Sequence, residues 1–399
     1  MKKIIALLAA LFVMFSLSAE VTLAPVDGGA FAKAASSTNV TDIRALGMGG
    51  AGVAVADNYQ SIWINPAGLA NKKVQFSLPS FGLSLYSPLA ISKDIEDLEA
   101  VDADVLVNGV LNSLTTGYGK VLDADAQVSF SAGGFGIGVN VKDTIYSYVP
   151  KTSTGGVSSK FFNSTSANVV LGFGFSIPIG SVSIDLGVSG GISSLMYTDL
   201  VDAQLATGIL GADDPEAAVS DLISGLPVAY GYAIPINAGV NVNLPLGFKI
   251  GAVARNINGS YKMSQAANIE ALEESDEELE SFEISVPMTI DAGFAWDISL
   301  LGGFLHPIIA ADVVDVVGLI KSNDFSQSNL VSHLKAGLEV KGLWIADARI
   351  GLDRGYWTAG VGLDLAILRL EAAYYWQEMG AYQGDKPQDA LTIKMNLGW

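Results

Sequence analysis

Residues 284–297 read ISVPMTIDAGFAWD, and apolar side chains occupy every second position of this stretch. One face would carry Ile284, Val286, Met288, Ile290, Ala292, Phe294 and Trp296. The opposite face would carry mostly small or polar side chains, among them Thr289, Asp291 and Gly293. An alternation of period two predicts a β-strand, here much longer than the ~5–6 residues common in globular proteins.

The same alternation continues in residues 182–189, 334–341 and 391–399. A β-sandwich strand also alternates, so alternation alone leaves both architectures open. The polar faces combine glycines with charges, as a barrel lumen does, and aromatic residues lie near strand ends, as in an interfacial girdle. These features favour an all-β fold, a transmembrane antiparallel β-barrel. In a bilayer every backbone N–H and C=O needs a partner, and a closed barrel is the sheet that supplies one for each.

Fourteen segments show this pattern, and an even number is typical of bacterial barrels. They lie near residues 74–86, 122–133, 135–149, 164–178, 181–196, 229–244, 247–261, 284–297, 305–317, 332–342, 343–353, 356–366, 368–378 and 390–399. Short connections alternate with long ones, which predicts turns at one end of the barrel and loops at the other. We assign residues 73–399 to the barrel, with twelve or sixteen strands as the alternatives.

Long connections are expected near residues 87–121, 150–163, 197–228, 262–283, 318–331 and 379–389. Three of them carry helical signals, which predicts short helices in the extracellular loops within residues 91–114, 213–222 and 270–283. The last of these stretches holds eight acidic residues and no basic one. It lacks the ligand spacing of a calcium loop, so it predicts a solvated acidic loop.

The N-terminus has the composition of a secretory signal peptide. Lys2 and Lys3 precede an apolar run over residues 4–15, and the small residues that follow predict cleavage after Ala19. The run is too short to span a bilayer, and a short anchor helix is the alternative. Residues 1–19 are therefore expected to direct export. Together with the barrel they predict the outer membrane of a Gram-negative type of cell.

Composition excludes several kinds of chemistry. The chain has no cysteine, so disulfides, iron–sulfur clusters and thiolate zinc sites are excluded. Its net charge of −19 argues against nucleic-acid binding, which needs clustered lysine and arginine. His306 and His333 are the two histidines. A hydrolase built on either one is an alternative, but we expect no enzyme, no cofactor and no metal site.

Residues 20–72, before the barrel, contain no alternating strand pair. They hold two motifs, RALGMGGAGVAVAD in residues 44–57 and SIWINPAGLA in residues 61–70. The glycines of the first motif also fit the spacing of a dinucleotide-binding loop. That loop needs a βαβ unit and an acidic residue about 20 positions further on, whereas Asp57 follows almost at once. Tight turns are therefore the favoured interpretation.

These motifs, placed just after a signal peptide, resemble the FadL-type long-chain fatty acid transporter superfamily of outer-membrane β-barrels, which includes TraF-like and PorV-like relatives. Residues 348–353, 358–363 and 374–378 are similar to the last strands of that family. The resemblance implies that residues 20–72 fold inside the barrel as an N-terminal hatch. A fourteen-strand barrel is also too wide for its own side chains to fill, so its lumen needs a plug.

The predicted site residues fall into four groups. The hatch motif consists of Gly47, Gly49, Gly50, Gly52, Asn65, Pro66, Ala67 and Gly68, in which the Asn-Pro pair predicts a turn. A lumen charge network is predicted at Asp347, Asp364, Arg369, Glu371 and Lys394. The resemblance implies that a basic lumen group meets a substrate carboxylate, and the candidates by position are Lys249, Arg255 and Arg349. Trp399 is the expected closing aromatic residue of the barrel.

The resemblance implies a channel that passes hydrophobic solutes, similar to long-chain fatty acids, across the outer membrane. The alternative is a barrel without transport that docks partner proteins, as PorV-like or conjugation-associated relatives do. Uptake predicts an apolar pocket among the loops and a strand kink beside the hatch, and docking predicts a filled lumen and an exposed patch. The expected partners are membrane lipids, the outer-membrane assembly machinery and a hydrophobic small molecule, with no nucleic acid. Monomer and oligomer are both left open.

Overall fold

The computed structural model describes residues 42–71, 73–93, 114, 117–149, 160–198, 201–202, 227–266, 281–298, 306–343, 345–380 and 383–398. The predicted signal peptide, residues 20–41 of the predicted hatch and Trp399 lie outside these residues. So do the predicted helix in residues 213–222, most of the one in 91–114 and residues 270–280 of the acidic loop. Among the described residues no helix is long and apolar enough to cross a membrane.

The described strands form one sheet of eighteen hydrogen-bonded segments. Three strands consist of two segments each and one segment, Val201–Asp202, has only two residues, which leaves fourteen strands as predicted. They are β1 (Gln75–Tyr86), β2 (Gly117–Ala132), β3 (Phe135–Val149), β4 (Lys160–Ile179), β5 (Val182–Thr198), β6 (Val228–Ala233 and Ile236–Asn243), β7 (Phe248–Ile257 and Tyr261–Ala266), β8 (Ser281–Ile284 and Thr289–Asp297), β9 (His306–Val313), β10 (Leu334–Leu343), β11 (Ala346–Asp353), β12 (Tyr356–Leu365), β13 (Leu368–Glu378) and β14 (Pro387–Gly398).

The sheet is a closed antiparallel barrel. Strands that follow one another in the chain are neighbours in the sheet, and β1 pairs with β14 as well as with β2. In the closing ladder Leu83 lies opposite Ile393. Closure pairs the backbone groups of the first and last strands, which an open sheet would leave unpaired in a bilayer.

The outer face of the barrel is apolar. Along β3, the alternating residues Phe135, Ile137, Val139 and Val141 are each 38–44% exposed. The residues between them are buried and face the lumen. An apolar outer belt on a closed barrel is the surface that lipid tails cover, so the fold supports an outer-membrane location.

Residues 42–71 lie inside the barrel and form the described part of the hatch. Helix α1 (Ile43–Gly47) packs against β12 and β13, and helix α2 (Ser61–Ile64) packs against β3 and β4. A 3-10 helix (Pro66–Ala70) packs against β4, β5 and β6. The hatch therefore crosses the lumen from one wall to the opposite wall.

The two ends of the barrel differ in their connections. At the turn side most connections are short, for example Gly133-Gly134 between β2 and β3, and the longest one joins β8 to β9 over residues 298–305. At the loop side lie helix α3 (Pro88–Lys93) and, between β9 and β10, helices α4 (Val316–Ser322) and α5 (Gln327–Val331). One loop-side connection is also short, because only residues 354–355 join β11 to β12. The predicted strand over residues 305–317 is too long, since the Asp315 side chain caps α4 and ends the extended backbone.

Three neighbouring strands are interrupted where they face one another. β6 breaks at residues 234–235, β7 at residues 258–260 and β8 at residues 285–288. The single strand with one apolar face predicted over residues 284–297 is therefore wrong. Beyond the break the faces exchange, so that Ile284 is buried at the lumen side while Phe294 is 39% exposed on the outer side. Pro287 explains part of the break, because proline has no N–H for the ladder.

Candidate functional site: the hatch and the cavity above it

Inward-facing glycines let the barrel wall touch the backbone of the hatch. A Cβ atom at Gly187 in β5 would lie 2.1 Å from the Pro66 carbonyl oxygen. A Cβ atom at Gly337 in β10 would lie 2.3 Å from the Met48 carbonyl oxygen. Any side chain at these positions would collide with the hatch, so wall and hatch are matched in shape. The sequence placed glycines on the lumen face, but it did not show which of them meet the hatch.

Asn65 connects the predicted Asn-Pro turn to the wall. Its Oδ1 accepts a hydrogen bond from the Ala67 N–H at 3.1 Å and so caps the 3-10 helix. Its Nδ2 donates to the Val53 carbonyl at 2.9 Å and to Asn241 Oδ1 in β6 at 3.0 Å. Asn65 is fully buried, and its side chain bonds both to the hatch and to the wall. One side chain therefore caps the 3-10 helix and contacts the barrel.

The glycine-rich turn of the hatch is held by two polar wall residues. Thr358 Oγ1 accepts from the Gly49 N–H at 2.9 Å and donates to the Gly47 carbonyl at 3.0 Å. Asp312 Oδ2 accepts from the N–H groups of Gly52 and Val53 at 2.7 and 3.0 Å. Gly49 has φ of 66°, a left-handed conformation that favours glycine. The sequence marks Asp312 as unusual, because it is a charged residue in the otherwise apolar run of β9. It does not show that Asp312 binds the hatch at Gly52 and Val53.

A buried ion-pair network joins α1 of the hatch to the wall. The Arg44 guanidinium donates to both oxygens of Glu339 in β10, the shortest contact being 2.7 Å. Glu339 also accepts from Arg349 Nε at 2.8 Å, and Arg349 reaches Glu371 at 2.9 Å. Arg349 and Glu339 have completely buried side chains. A charged hatch helix is thus fixed against three strands.

The network continues toward the turn side through Arg369. Arg369 pairs with Asp347 at 2.8 Å, with Glu371 at 3.2 Å and with Asp364. Four of the five predicted network residues therefore lie together. The fifth, Lys394, is opposite Glu371 in the ladder, and its ammonium donates to Asp125 in β2 at 2.9 Å.

The pKa of Asp42, at the start of α1, is shifted by burial and by the charges of this network. Its Oδ1 accepts from the Arg44 N–H at 2.9 Å. Burial raises the pKa of the Asp42 carboxyl and the Glu371 charge raises it further, while Arg44 and Arg349 oppose the rise. The start of the hatch helix thus carries a carboxyl that is harder to ionise than one in water.

A cavity of about 500 Å³ lies on the loop side of the hatch. Its floor is the apolar surface of the hatch at Leu46, Val53 and Ile64, with Trp63 at one side. Its walls are strongly charged, with seven carboxylates and five basic groups from the hatch and the strands. It reaches the interrupted strands at Asn256, Val286 and Pro287. The predicted apolar pocket is therefore apolar only in part.

The hatch separates this cavity from a second one. A cavity of about 260 Å³ on the turn side is lined by polar residues that include Asp57, Asp185 and Lys249. Between the two, within the hatch, lies a void of only about 10 Å³ beside Arg44 and Ala56. That void holds at most about one water molecule.

The three predicted carboxylate-binding groups lie in different places. Lys249 lines the turn-side cavity, and Arg349 is inside the ion-pair network. Arg255 lines the loop-side cavity, where it pairs with Asp291 at 2.9 Å and donates to the Trp63 carbonyl at 3.2 Å. The structure does not bring them together, and their role toward a carboxylate stays a prediction.

An apolar cluster on the lumen faces of β3–β8 adjoins the strand interruptions. Its buried members are Tyr146, Phe162, Leu195, Tyr197, Ala229, Ala233, Tyr261, Met263, Ile284 and Val286. Val286 belongs both to this cluster and to the cavity wall. Sequence reasoning missed the cluster, because it assigned the apolar face of every strand to the membrane.

No protein-family model matches the sequence, and no curated protein sequence matches it. Solved barrels do match the fold. The Pseudomonas putida toluene transporter TodX is 12% identical with a TM-score of 0.43, covering 89% of this chain and 96% of that one. A Pseudomonas aeruginosa FadL homologue is 11% identical with a TM-score of 0.44, covering 90% and 98%. The translocator domain of the autotransporter NalP from Neisseria meningitidis is 10% identical with a TM-score of 0.41, covering 94% and 99%.

FadL-type channels are thus among the structural neighbours of this chain, as the motifs predicted. An autotransporter domain has a similar score, so likeness at this level carries no argument about function. The functional argument rests on the hatch, the cavities and the strand interruptions of the chain itself.

Proposed function

We propose that this protein is a hatch-closed channel for hydrophobic solutes in the outer membrane. The observation that supports it is the meeting of three features at one place. Val286, in the interruption of β8, belongs both to the loop-side cavity and to the buried apolar cluster, and its carbonyl oxygen lies beside Gly259 in the interruption of β7. A solute that enters from the loop side would leave sideways through the interrupted wall, without crossing the hatch.

The wall at this place lacks regular pairing. On the turn side of the break β7 and β8 pair regularly, starting with Arg255 opposite Thr289. On the loop side they pair again, starting with Tyr261 opposite Ile284. Between these two pairs the register shifts by one residue. Asn256 and Asn258 have positive φ, and Pro287 supplies no N–H. Fewer ladder bonds lower the cost of separating the wall here.

The outer side of the interruption also suits an apolar solute. Ile234 and Met288 are both 49% exposed beside it. An apolar molecule would therefore meet apolar side chains from the cluster to the lipid. Transfer of apolar surface between such environments costs little free energy compared with passage through the charged lower lumen.

The partner-docking alternative remains the second candidate, because the hatch fills the middle of the lumen. Partner docking does not explain why a loop-side cavity reaches the interrupted strands. We therefore place uptake first.

A cysteine staple across the interruption tests the proposal. Cysteines at Lys262 and Glu283, which lie opposite each other on the loop side of the interruption, would join β7 to β8 beside it. The chain has no native cysteine to interfere. The matched control joins the same strands at Ile250 and Phe294, which already lie opposite each other on the outer face.

The readout is uptake of a labelled hydrophobic solute into liposomes that contain the protein. The staple at the break should lower uptake several-fold, reductant should restore it, and the control staple should leave it unchanged. Equal uptake with both staples would place the exit elsewhere. No uptake by the unmodified protein would remove the transport proposal itself.

A further inference from the structure

One ion pair on the lumen side lies at the edge of the interrupted wall. Arg255 of β7 and Thr289 of β8 are the first residues that lie opposite each other on the turn side of the break. Arg255 Nε donates to Asp291 Oδ2 at 2.9 Å, so the ion pair joins β7 to β8 where the regular ladder begins. A widening of the break toward the turn side therefore has to separate this ion pair.

The same arginine holds the hatch. Arg255 Nη1 donates to the Trp63 carbonyl at 3.2 Å. Trp63 belongs to the four-residue helix α2, and the carbonyls at the end of a helix have no partner within it. Arg255 supplies that partner from the wall, so the end of α2 is fixed to β7 beside the break.

The aspartate of the pair holds helix α4 on the loop side. Asp291 Oδ1 accepts from the Asp315 N–H at 2.9 Å, and the Asp315 side chain in turn accepts from the Gly318 N–H and caps α4. Asp315 has φ of 47°, a left-handed conformation that is uncommon for a residue with a side chain. The start of α4 therefore depends on the carboxylate that pairs with Arg255.

We infer that Arg255 and Asp291 form a latch that keeps the sideways exit shut, and that its opening also releases the end of α2 and the start of α4. This inference rests on the proposed function and names the residues that gate it. The Arg255 side chain is 18% exposed and lines the loop-side cavity, together with Trp63 and Asp315. A solute in the cavity would therefore lie against the latch.

Other contacts between the hatch and the wall leave the break alone. Asn65, Gly52 and Arg44 of the hatch are bound by β6, β9 and β10 respectively. These contacts do not join β7 to β8, so they would survive the separation of these two strands. The latch can thus open while the hatch stays in the lumen.

Uptake of a labelled hydrophobic solute into liposomes, counted per folded barrel, tests the latch in Arg255→Met. Methionine removes the charge and both donated bonds. Uptake should rise about ten-fold, the factor that one hydrogen bond to a charged group is worth. Asp291→Asn repeats the test in case methionine disturbs folding, because asparagine keeps an acceptor for the Asp315 N–H and loses the charge. Arg255→Lys keeps the charge and should bring uptake back toward that of the unmodified protein.

The matched control is Arg369→Met, the same substitution at a wall arginine whose side chain is 23% exposed. Arg369 pairs with Asp347 and Asp364 near the turn side, outside the loop-side cavity, where β12 and β13 pair regularly. Uptake by Arg369→Met should equal that of the unmodified protein.

Hydrogen exchange of the Gly318 amide is a second readout, which a merely local role of Arg255 would not move. Exchange should speed up in Arg255→Met, although it is Asp291 that binds the Asp315 N–H. Exchange in Arg369→Met should not change.

Equal uptake by Arg255→Met and the unmodified protein would overturn the inference, and so would an equal rise in Arg369→Met. Unchanged exchange at Gly318 in Arg255→Met would remove α4 from the latch. Absence of uptake by the unmodified protein and by Arg255→Met alike would instead count against the proposed function, and the inference would fall with it.

Discussion

Asn65 is the residue through which the turn of the hatch is joined to the barrel. One side chain caps the 3-10 helix, binds the glycine-rich turn at Val53 and reaches Asn241 in the wall. The space for it is made by Gly239, where a Cβ atom would lie 1.9 Å from Asn65 Oδ1. A single substitution here acts on the hatch and on its attachment together.

Asn65→Ala should loosen the hatch without unfolding the barrel. It leaves the Ala67 N–H, the Val53 carbonyl and Asn241 without their partner, at a cost of about 1–3 kcal/mol per unsatisfied buried group. Leak of a small dye per folded barrel should rise, while the heat-modifiable band of the folded barrel stays. Asn65→Ser is the matched control, because a serine oxygen keeps a cap for the helix N–H groups while the two donated bonds are lost, so its leak should be intermediate. A loss of folded barrel with unchanged leak would make the motif a folding signal.

Glu339 joins the hatch to the barrel through charge, because it pairs with Arg44 of the hatch and Arg349 of the wall. Glu339→Gln leaves Arg44 and Arg349 short of a buried counter-charge, and breaking such a pair costs about 3–5 kcal/mol. The stability of the hatch, measured by hydrogen exchange of α1, should fall strongly. The double variant Arg44→Met, Glu339→Met removes both charges. Its loss of hatch stability should therefore be smaller than the sum of the losses in Arg44→Met and in Glu339→Met alone. Additive effects would mean that the two side chains do not interact.

At the scale of elements, the hatch and the wall fit because wall strands carry glycine where the hatch backbone passes. Gly187→Ala should therefore push the 3-10 helix away from β5, since its Cβ would lie 2.1 Å from the Pro66 oxygen. Single-channel conductance should rise toward that of a variant lacking residues 42–70. Gly119→Ala is the matched control, because the Cβ would face only side-chain ends at 3.2 Å and beyond. Unchanged conductance in both the deletion and Gly187→Ala would mean that the hatch does not close the lumen.

The interrupted strands show where a period-two pattern fails at this scale. The sequence of residues 284–297 alternates throughout, yet the backbone does not pair at residues 285–288. Even-numbered side chains face the lumen before this break and the membrane after it. The prolines Pro235 and Pro287 were visible signals of a break. Their alignment on either side of β7 depends on register, which a strand's own sequence does not specify.

At the scale of the whole molecule, we predict that the turn side, where β1 begins and β14 ends, faces the periplasm. A cysteine in place of Asp385, in the connection from β13 to β14, should react with a membrane-impermeant maleimide on intact cells. A cysteine in place of Ser181, in the turn between β4 and β5, should react only after the outer membrane is broken. Both variants keep the rest of the chain free of cysteine. Labelling of Ser181→Cys alone on intact cells would reverse the orientation.

The sequence by itself determined the barrel, because a bilayer imposes the same two demands on every strand. Each strand must be long and must present an apolar face to lipid, and both demands can be read locally, as in residues 135–149. The strand number and the hatch motif with its Asn-Pro turn followed from such local signals. The charges of β11–β13 could also be placed on the lumen face, although their partners could not.

Only the tertiary structure decided how the lumen is used. The contact of Arg44 with Glu339 spans 295 positions in the chain, and the contact of Asp312 with Gly52 spans 260. The cavity and the exchange of faces in β8 depend on which strands meet the hatch. Such contacts arise when the barrel closes, because closure fixes the register of all strands together, whereas the alternation of one strand is compatible with many registers.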